Sequence, residues 1–413
     1  MAGLLVVLGV FIRLGNECAI TTVNSVYASK STLPNNDVGS LAFAPFLNMA
    51  PSSDGTEIRV SAAGVGALGG TLFANFLDIG PGGRKHSYTM TYSDTAQTYF
   101  ATAVGFTPGM DITGTVGLTT TLGLETAEIQ FQRAFVTPLT PQVDIAVEGQ
   151  MGGETLTVAM PNIGTVPADT YLVVMATNAP PGPLPSGYRF ASSTYAINPS
   201  GSLTETERLM TLRFTYGQTL PAGVDPHTLA VVGWNRTDLT WEVLGGDLFA
   251  QDQALEYVTK RFGIYALAAT PTWRDSFNER ELTGVSVQTN TRRRSDGTIV
   301  LDSGATSGAL TSIPITPTTD AASWGTLHFS ATIPLGADLR IDVLDINDQV
   351  LRVNVADGAD LSDLPLVDYP SLKLRATLTT AQAEVSPELR SWQVSWAPSE
   401  QQQNSTYLPL VVR

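Results

Sequence analysis

Asp342, Asp345, Asn347 and Asp348 crowd into one short stretch, Asp342-Val343-Leu344-Asp345-Ile346-Asn347-Asp348-Gln349, and Asp357, Asp360 and Asp363 follow soon after. Hard oxygen donors on neighbouring loops suit calcium. The same residues also suit a hairpin turn, because Asn and Asp tolerate the backbone angles such turns need. Other chemistry is scarce. Nucleophilic hydrolysis needs a base beside an activated Ser or Cys, and the available bases are His86, His227 and His328. His227 follows Asp225-Pro226 in a turn and reads as exposed, while His86 follows Arg84-Lys85 and reads as part of a solvated turn. His328 alternates with Leu327 and Phe329, which points it to solvent or to a domain contact. No Gly-x-Ser-x-Gly elbow occurs, since Gly304-Ala305-Thr306-Ser307-Gly308 misplaces the serine. Paired carboxylates on distant strands could hydrolyse glycosides without a histidine, although with 38 acidic residues some proximity is expected by chance. Cys18 is the lone cysteine, so intrachain disulfides and cysteine-rich metal sites are excluded. No catalytic or cofactor-binding residue is assigned, and calcium at the first four residues named is the one ion the sequence suits.

The elements that must position these residues are strands. Thr155-Leu156-Thr157-Val158-Ala159-Met160 alternates as a strand with one buried face does, and Tyr171-Leu172-Val173-Val174-Met175 is apolar throughout, as in a strand buried on both faces. Further strands are expected over 210–216, 228–234 and 257–268, separated by Pro- and Gly-rich turns at 178–183 and 220–226. The reading is all-β: three consecutive β-sandwich domains, the last jelly-roll-like. Residues 1–28 form a signal-like or simply apolar N-terminal segment, 29–147 a β-sandwich, 148–270 a second, 271–397 the jelly-roll-like third, and 398–413 a polar spacer with a short apolar tail. In the third, Leu327, Phe329 and Ala331 should point inward, and Trp392, Val394 and Trp396 should share a buried face. The Pro/Thr segments 137–141 and 268–272 read as linkers. The small-residue stretch 62–70 lacks the Lys-Ser/Thr and βαβ context of a phosphate loop.

Composition narrows the partners. Lys and Arg number 23 against 38 Asp and Glu, a net charge of -15, which repels phosphate backbones and anionic lipid, so no nucleic-acid partner is expected. The run Arg292-Arg293-Arg294 reads as a solvated strand edge beside a hairpin turn. Charged residues make up only 15%, which fits an exported protein, and the apolar run 2–12 is too short for an integral membrane span. Trp241, Trp273, Trp324, Trp392 and Trp396 would stack on sugar rings if exposed, but most belong to the core by their spacing.

Between 148 and 270 the chain resembles a known module. Gly153-Glu154-Thr155-Leu156-Thr157-Val158-Ala159-Met160-Pro161, Val166-Pro167-Ala168-Asp169-Thr170-Tyr171, Trp241-Glu242-Val243-Leu244 and 258–267 look like the β-sandwich module of ankyrins, zonula occludens proteins and netrin receptors, and like its variant in exported bacterial surface proteins. Some relatives cleave themselves at a His-Phe-Ser tripeptide. The matching positions here are Arg261-Phe262-Gly263, which lack base and nucleophile, so the resemblance implies no cleavage there. The string at 345–348 resembles the Asp-x-Asn-Asp linker of cadherins without their other ligand motifs, and the ending 407–413 is similar to that of many exported proteins of certain filamentous bacteria. The function expected is that of a non-catalytic, secreted or cell-surface structural or adhesive protein with a protein or glycan surface partner. The alternatives are a carbohydrate-binding module and a glycoside hydrolase with distant carboxylates.

Overall fold

The computed structural model describes residues 46–399, apart from 53–56, 64–69, 79–84, 105–110, 121–124, 150–152, 161, 163, 168–169, 178–179, 202, 218–219, 222, 279–281 and 383. The N-terminal segment, most of the 62–70 stretch and the 400–413 tail therefore lie outside the described residues. The fold is all-β and sandwich-like. β1 Phe46–Pro51, β2 Glu57–Ala63, β3 Gly70–Asp78, β4 Lys85–Ser93, β5 Thr98–Val104, β6 Asp111–Thr120 and β7 Glu125–Pro138 are followed by β8 Val143–Glu148, β9 Thr155–Met160, β10 Tyr171–Thr177, β11 Arg189–Phe190 and β12 Thr194–Pro199. Then come β13 Glu205–Thr215, β14 Leu229–Asn235, β15 Thr240–Gly245, β16 Asp247–Phe249, β17 Ala254–Arg261 and β18 Gly263–Ala269.

Most of these strands join one 13-stranded sheet, ordered β1-β2-β5-β4-β3-β6-β7-β10-β12-β18-β14-β15, with β11 beside β18. The sheet curls until β1 lies over β10 and β12. Its second half is therefore covered on both faces, as the unbroken apolar run of β10 requires. Val173, Met175, Ala196, Val232, Ile264 and Ala266 meet the core lined by β1–β6. Their alternating neighbours Leu172, Val174, Ile197, Val231 and Leu267 meet a second core, closed by the five-stranded sheet β16-β17-β13-β9-β8. The 137–141 segment is part of this ladder: Thr137 and Pro138 stand opposite Leu172 and Tyr171, and Leu139 N–H donates to Thr170 O at 2.7 Å.

The strand expected over 257–268 is two strands. The chain crosses from the smaller sheet to the larger one at Phe262, whose N–H donates to Thr204 O at 3.0 Å. A single alternating run cannot reveal such a crossing, because both halves keep the same period.

The remaining strands are β19 Thr272–Asp275, β20 Val285–Thr289, β21 Thr291–Arg293, β22 Ile299–Leu301, β23 Ser307–Ser312, β24 Ala321–Thr332, β25 Ala337–Leu344, β26 Val350–Arg352, β27 Ala359–Asp360, β28 Lys373–Thr380 and β29 Glu388–Pro398. In one sheet the order β22-β29-β24-β27 is extended by β21 beside β22 and β19 beside β29; in the other β23-β28-β25-β26 is extended by β20. Two facing four-strand sets in that order are the jelly roll. Between them Trp273, Trp324, Leu327, Trp392, Val394 and Trp396 are buried together, with Phe329 and Ala331 packed at the margin. Arg292 and Arg293 lie on β21, the sheet edge expected for them. Arg293 donates to Phe277 O and Asn278 O, and Arg294 pairs with Glu388.

Candidate functional site

The four calcium candidates separate into a strand residue and a turn. Asp342 lies on β25 with 0% exposure, accepting from Arg375 Nη2 at 2.8 Å and Asn354 N–H at 3.0 Å, with Arg340 Nε 3.3 Å away. Asp345 closes the hairpin instead. Its Oδ1 accepts the Asn347 and Gln349 N–H groups, each at 2.8 Å, and Asp348 adopts the left-handed conformation, φ +64°, while its carboxylate takes Lys373 Nζ at 2.9 Å. Asn347 enters through its backbone. The second set is likewise engaged: Asp357 with His328 and Phe329 N–H, Asp360 with Ser362, and Asp363 with Arg352. Among the described residues, no group of three or more His, Cys, Asp or Glu side chains is arranged to hold a metal ion.

Burial pushes the Asp342 carboxyl up, but the Arg375 hydrogen bond, the Asn354 amide and the Arg340 charge outweigh it and hold the group below its ordinary 3.8. Asp320 is held low in the same way, with burial opposed by Thr318 and Arg189. A depressed carboxyl contributes stability above its unfolded pKa and loses it as pH falls through the folded value. The jelly roll is therefore expected to keep its stability down to about pH 5 and to lose it steeply below about pH 4. Guanidinium unfolding across that range would measure this, and a flat profile would contradict it. The carboxyls with resolved shifts, Asp296, Asp320, Asp342, Asp357 and Asp360, all move down. A general acid for glycoside cleavage needs the opposite shift.

The tryptophans belong to the cores. Trp241, Trp273, Trp324, Trp392 and Trp396 are none of them more than 5% exposed. Trp234 is partly buried and packs edge-on against Trp241, their ring centroids 5.5 Å apart. Sequence reasoning did not single out Glu154, a buried carboxylate that accepts from Ser193 N–H at 3.2 Å and Ser193 Oγ at 2.7 Å.

The histidines come out differently from expectation. His86 is on β4 rather than in a turn, its ring stacked with Tyr88. His328 does face outward, its Nδ1 3.1 Å from Asp357 Oδ1. His227, expected at the surface, is 7% exposed. Its turn explains the burial. Asp225 caps a single 3-10 turn, Pro226–Thr228, with proline at its start, and accepts the His227 N–H at 2.8 Å. That turn delivers the imidazole under the jelly roll, where it stacks on Trp273 at 5.3 Å, sets Nδ1 3.0 Å from Asp225 Oδ1 and sets Nε2 3.3 Å from Thr283 Oγ1. The Asp-Pro step was legible as a turn; Trp273 and Thr283, brought in from across the 268–272 segment, were not.

This is one contact of a longer seam. Arg189 pairs with Asp320 at 3.2 Å, Arg274 Nη2 donates to Gly246 O at 2.7 Å, and Asn278 Nδ2 donates to Asp247 Oδ1 at 2.6 Å. Thr270 N–H is bound to Thr228 O at 2.9 Å, and Trp396 N–H to Pro271 O at 3.0 Å, so the connection between β18 and β19 is itself fixed. A groove of about 630 Å³ runs along the seam, lined by Val224, Asp225 and Pro226 and by Ile313, Pro317 and Thr318. Among the described residues, no helix is long and apolar enough to cross a membrane. No protein-family model matches the chain, and no curated protein matches it.

Proposed function

We propose that the protein is a non-catalytic structural or adhesive part of a secreted or cell-surface assembly, in which fixed sandwiches present loops and strand edges to a protein or glycan surface. The observation that carries this reading is the seam: ion pair, hydrogen bonds and the His227–Trp273 stack bridge Arg189, His227, Gly246 and Asp247 to the jelly roll, across a two-residue connection. Such bracing favours a body that transmits force and holds orientation over one that opens and closes on a substrate. The sparse charge, 15% of residues, supports placement outside the cell. The glycan-binding alternative draws on the jelly-roll order, which lectin domains share. It would have to use polar side chains or Trp234, since the other tryptophans of the described chain are core.

Purified full-length protein is expected to adhere to extracted cell-envelope material and to leave polysaccharide, ester and peptide substrate panels unchanged. Sustained turnover of any of them above the buffer blank would overturn the reading. Absence of adhesion to any envelope fraction would count equally against it.

A further inference from the structure

The geometry points to a self-processing site at the Asp225–Pro226 peptide bond. This is the single Asp-Pro step in the chain. Its chemistry is peculiar to the pair: the aspartate carboxylate can close a five-membered ring onto its own carbonyl carbon, and proline contributes a tertiary amide whose nitrogen leaves as a secondary amine once protonated. In flexible peptides the bond is long-lived because nothing supplies that proton near neutrality.

Here a proton donor is built in. His227 Nδ1 lies 3.0 Å from Asp225 Oδ1, and the ring is held in place by Thr283 Oγ1 at Nε2, 3.3 Å, and by the face of Trp273. Capping the turn needs only the His227 backbone N–H, which already reaches the same carboxylate oxygen. The imidazole is an addition that capping does not explain. The bond also borders the seam groove, which gives water a path to it. The charged groups packed around the imidazole are Asp225 itself, Arg274 and Asp275 on β19, and Arg189 with Asp320 across the groove.

The step balances within the pair and one water. The His227 imidazolium passes its Nδ1 proton to Asp225 Oδ1, the oxygen it touches, the other carboxyl oxygen attacks the Asp225 carbonyl carbon, and the proton moves on from Oδ1 to the Pro226 nitrogen. The C–N bond breaks with its electrons remaining on nitrogen, leaving a cyclic anhydride at Asp225, neutral His227 and an amino-terminal Pro226. Water then opens the anhydride to two carboxyl groups. The products, 1–225 and 226–413, stay together, because the β12–β18 and β13–β17 ladders cross the cut.

The test needs no variant at first. Purified full-length protein and a synthetic peptide covering 220–232 are incubated side by side at about pH 5.5 and about pH 8, and mass spectrometry follows the Asp225/Pro226 cut under denaturing conditions. The folded chain is expected to cleave about a hundredfold faster than the peptide at the lower pH, and more slowly at the higher. His227→Gln should fall to the peptide rate, and Pro226→Ala should not cleave, each with the far-UV spectrum and chromatographic elution of the folded parent. A folded chain that cleaves no faster than the peptide overturns the proposal, as does a folded His227→Gln protein that cleaves at the parental rate.

Discussion

Trp392→Ala is expected to destabilise the jelly roll by about 3–5 kcal/mol, the cost of emptying a fully buried indole site in a packed core. Trp392 is 0% exposed on β29, which lies between β22 and β24, and its ring sits 5.5 Å from that of Phe277. Its indole N–H has no partner among the described residues, so the loss is one of packing alone. Trp324 makes the useful contrast, because its N–H donates to Tyr369 O at 3.0 Å, and Trp324→Phe should cost more than Trp392→Phe for that reason. The seam couples this sandwich to its neighbour, so unfolding need not be two-state. Hydrogen exchange at the amides of β24 and β29, read beside the denaturation curve, would localise the loss. A shift smaller than about 1 kcal/mol would show that the core relaxes into the space and that its packing is looser than described.

Asp342→Ala should cost about 2–4 kcal/mol. Removing one member of a buried ion pair leaves the others without a counter-charge, and the full penalty runs to about 3–5 kcal/mol. The value is lower here because the Arg375 and Arg340 side chains, 30% and 47% exposed, can turn to water. The Asn354 amide has less freedom, since it lies in the bend after β26 that leads to Val355, which packs against the core. Asp342→Asn keeps the shape and removes the charge, so it should lose about half as much and also flatten the acid limb of the stability profile. Measured midpoints for the two variants that coincide with the parent above pH 5 would dismiss the ion-pair cluster as a stabilising device.

The outline was legible because strand periodicity is local. Thr155–Met160, Leu327, Phe329, Trp392, Val394 and Trp396 all turn the sides that alternation assigns to them. The doubly buried β10 was visible for the same reason, as a run with no polar face to show. What periodicity could not show was partnership. Nothing in Glu125–Pro138 announces that it pairs with β10, or that the 257–268 run changes sheets at Phe262. Short strands were lost as well. β12, Thr194–Pro199, follows two serines and ends in Asn-Pro, and β23 begins inside the glycine-rich stretch that was weighed as an elbow. The candidate ion ligands were found as a cluster, but Asp342 was separated from the rest by arginines on its own strand and on β28. Its side chain points across the sheet, a direction that counting along the chain does not give.

The curled sheet has a consequence for synthesis. The first six strands, up to residue 120, cannot close their core until β18 at 263–269 has been made. On a ribosome adding about 5–20 residues each second, these amino-terminal strands wait on the order of ten seconds with their greasy face uncovered. A holdase, or a translocation channel that keeps the segment extended, would meet this protein during that interval, and the first strands would be the part it grips.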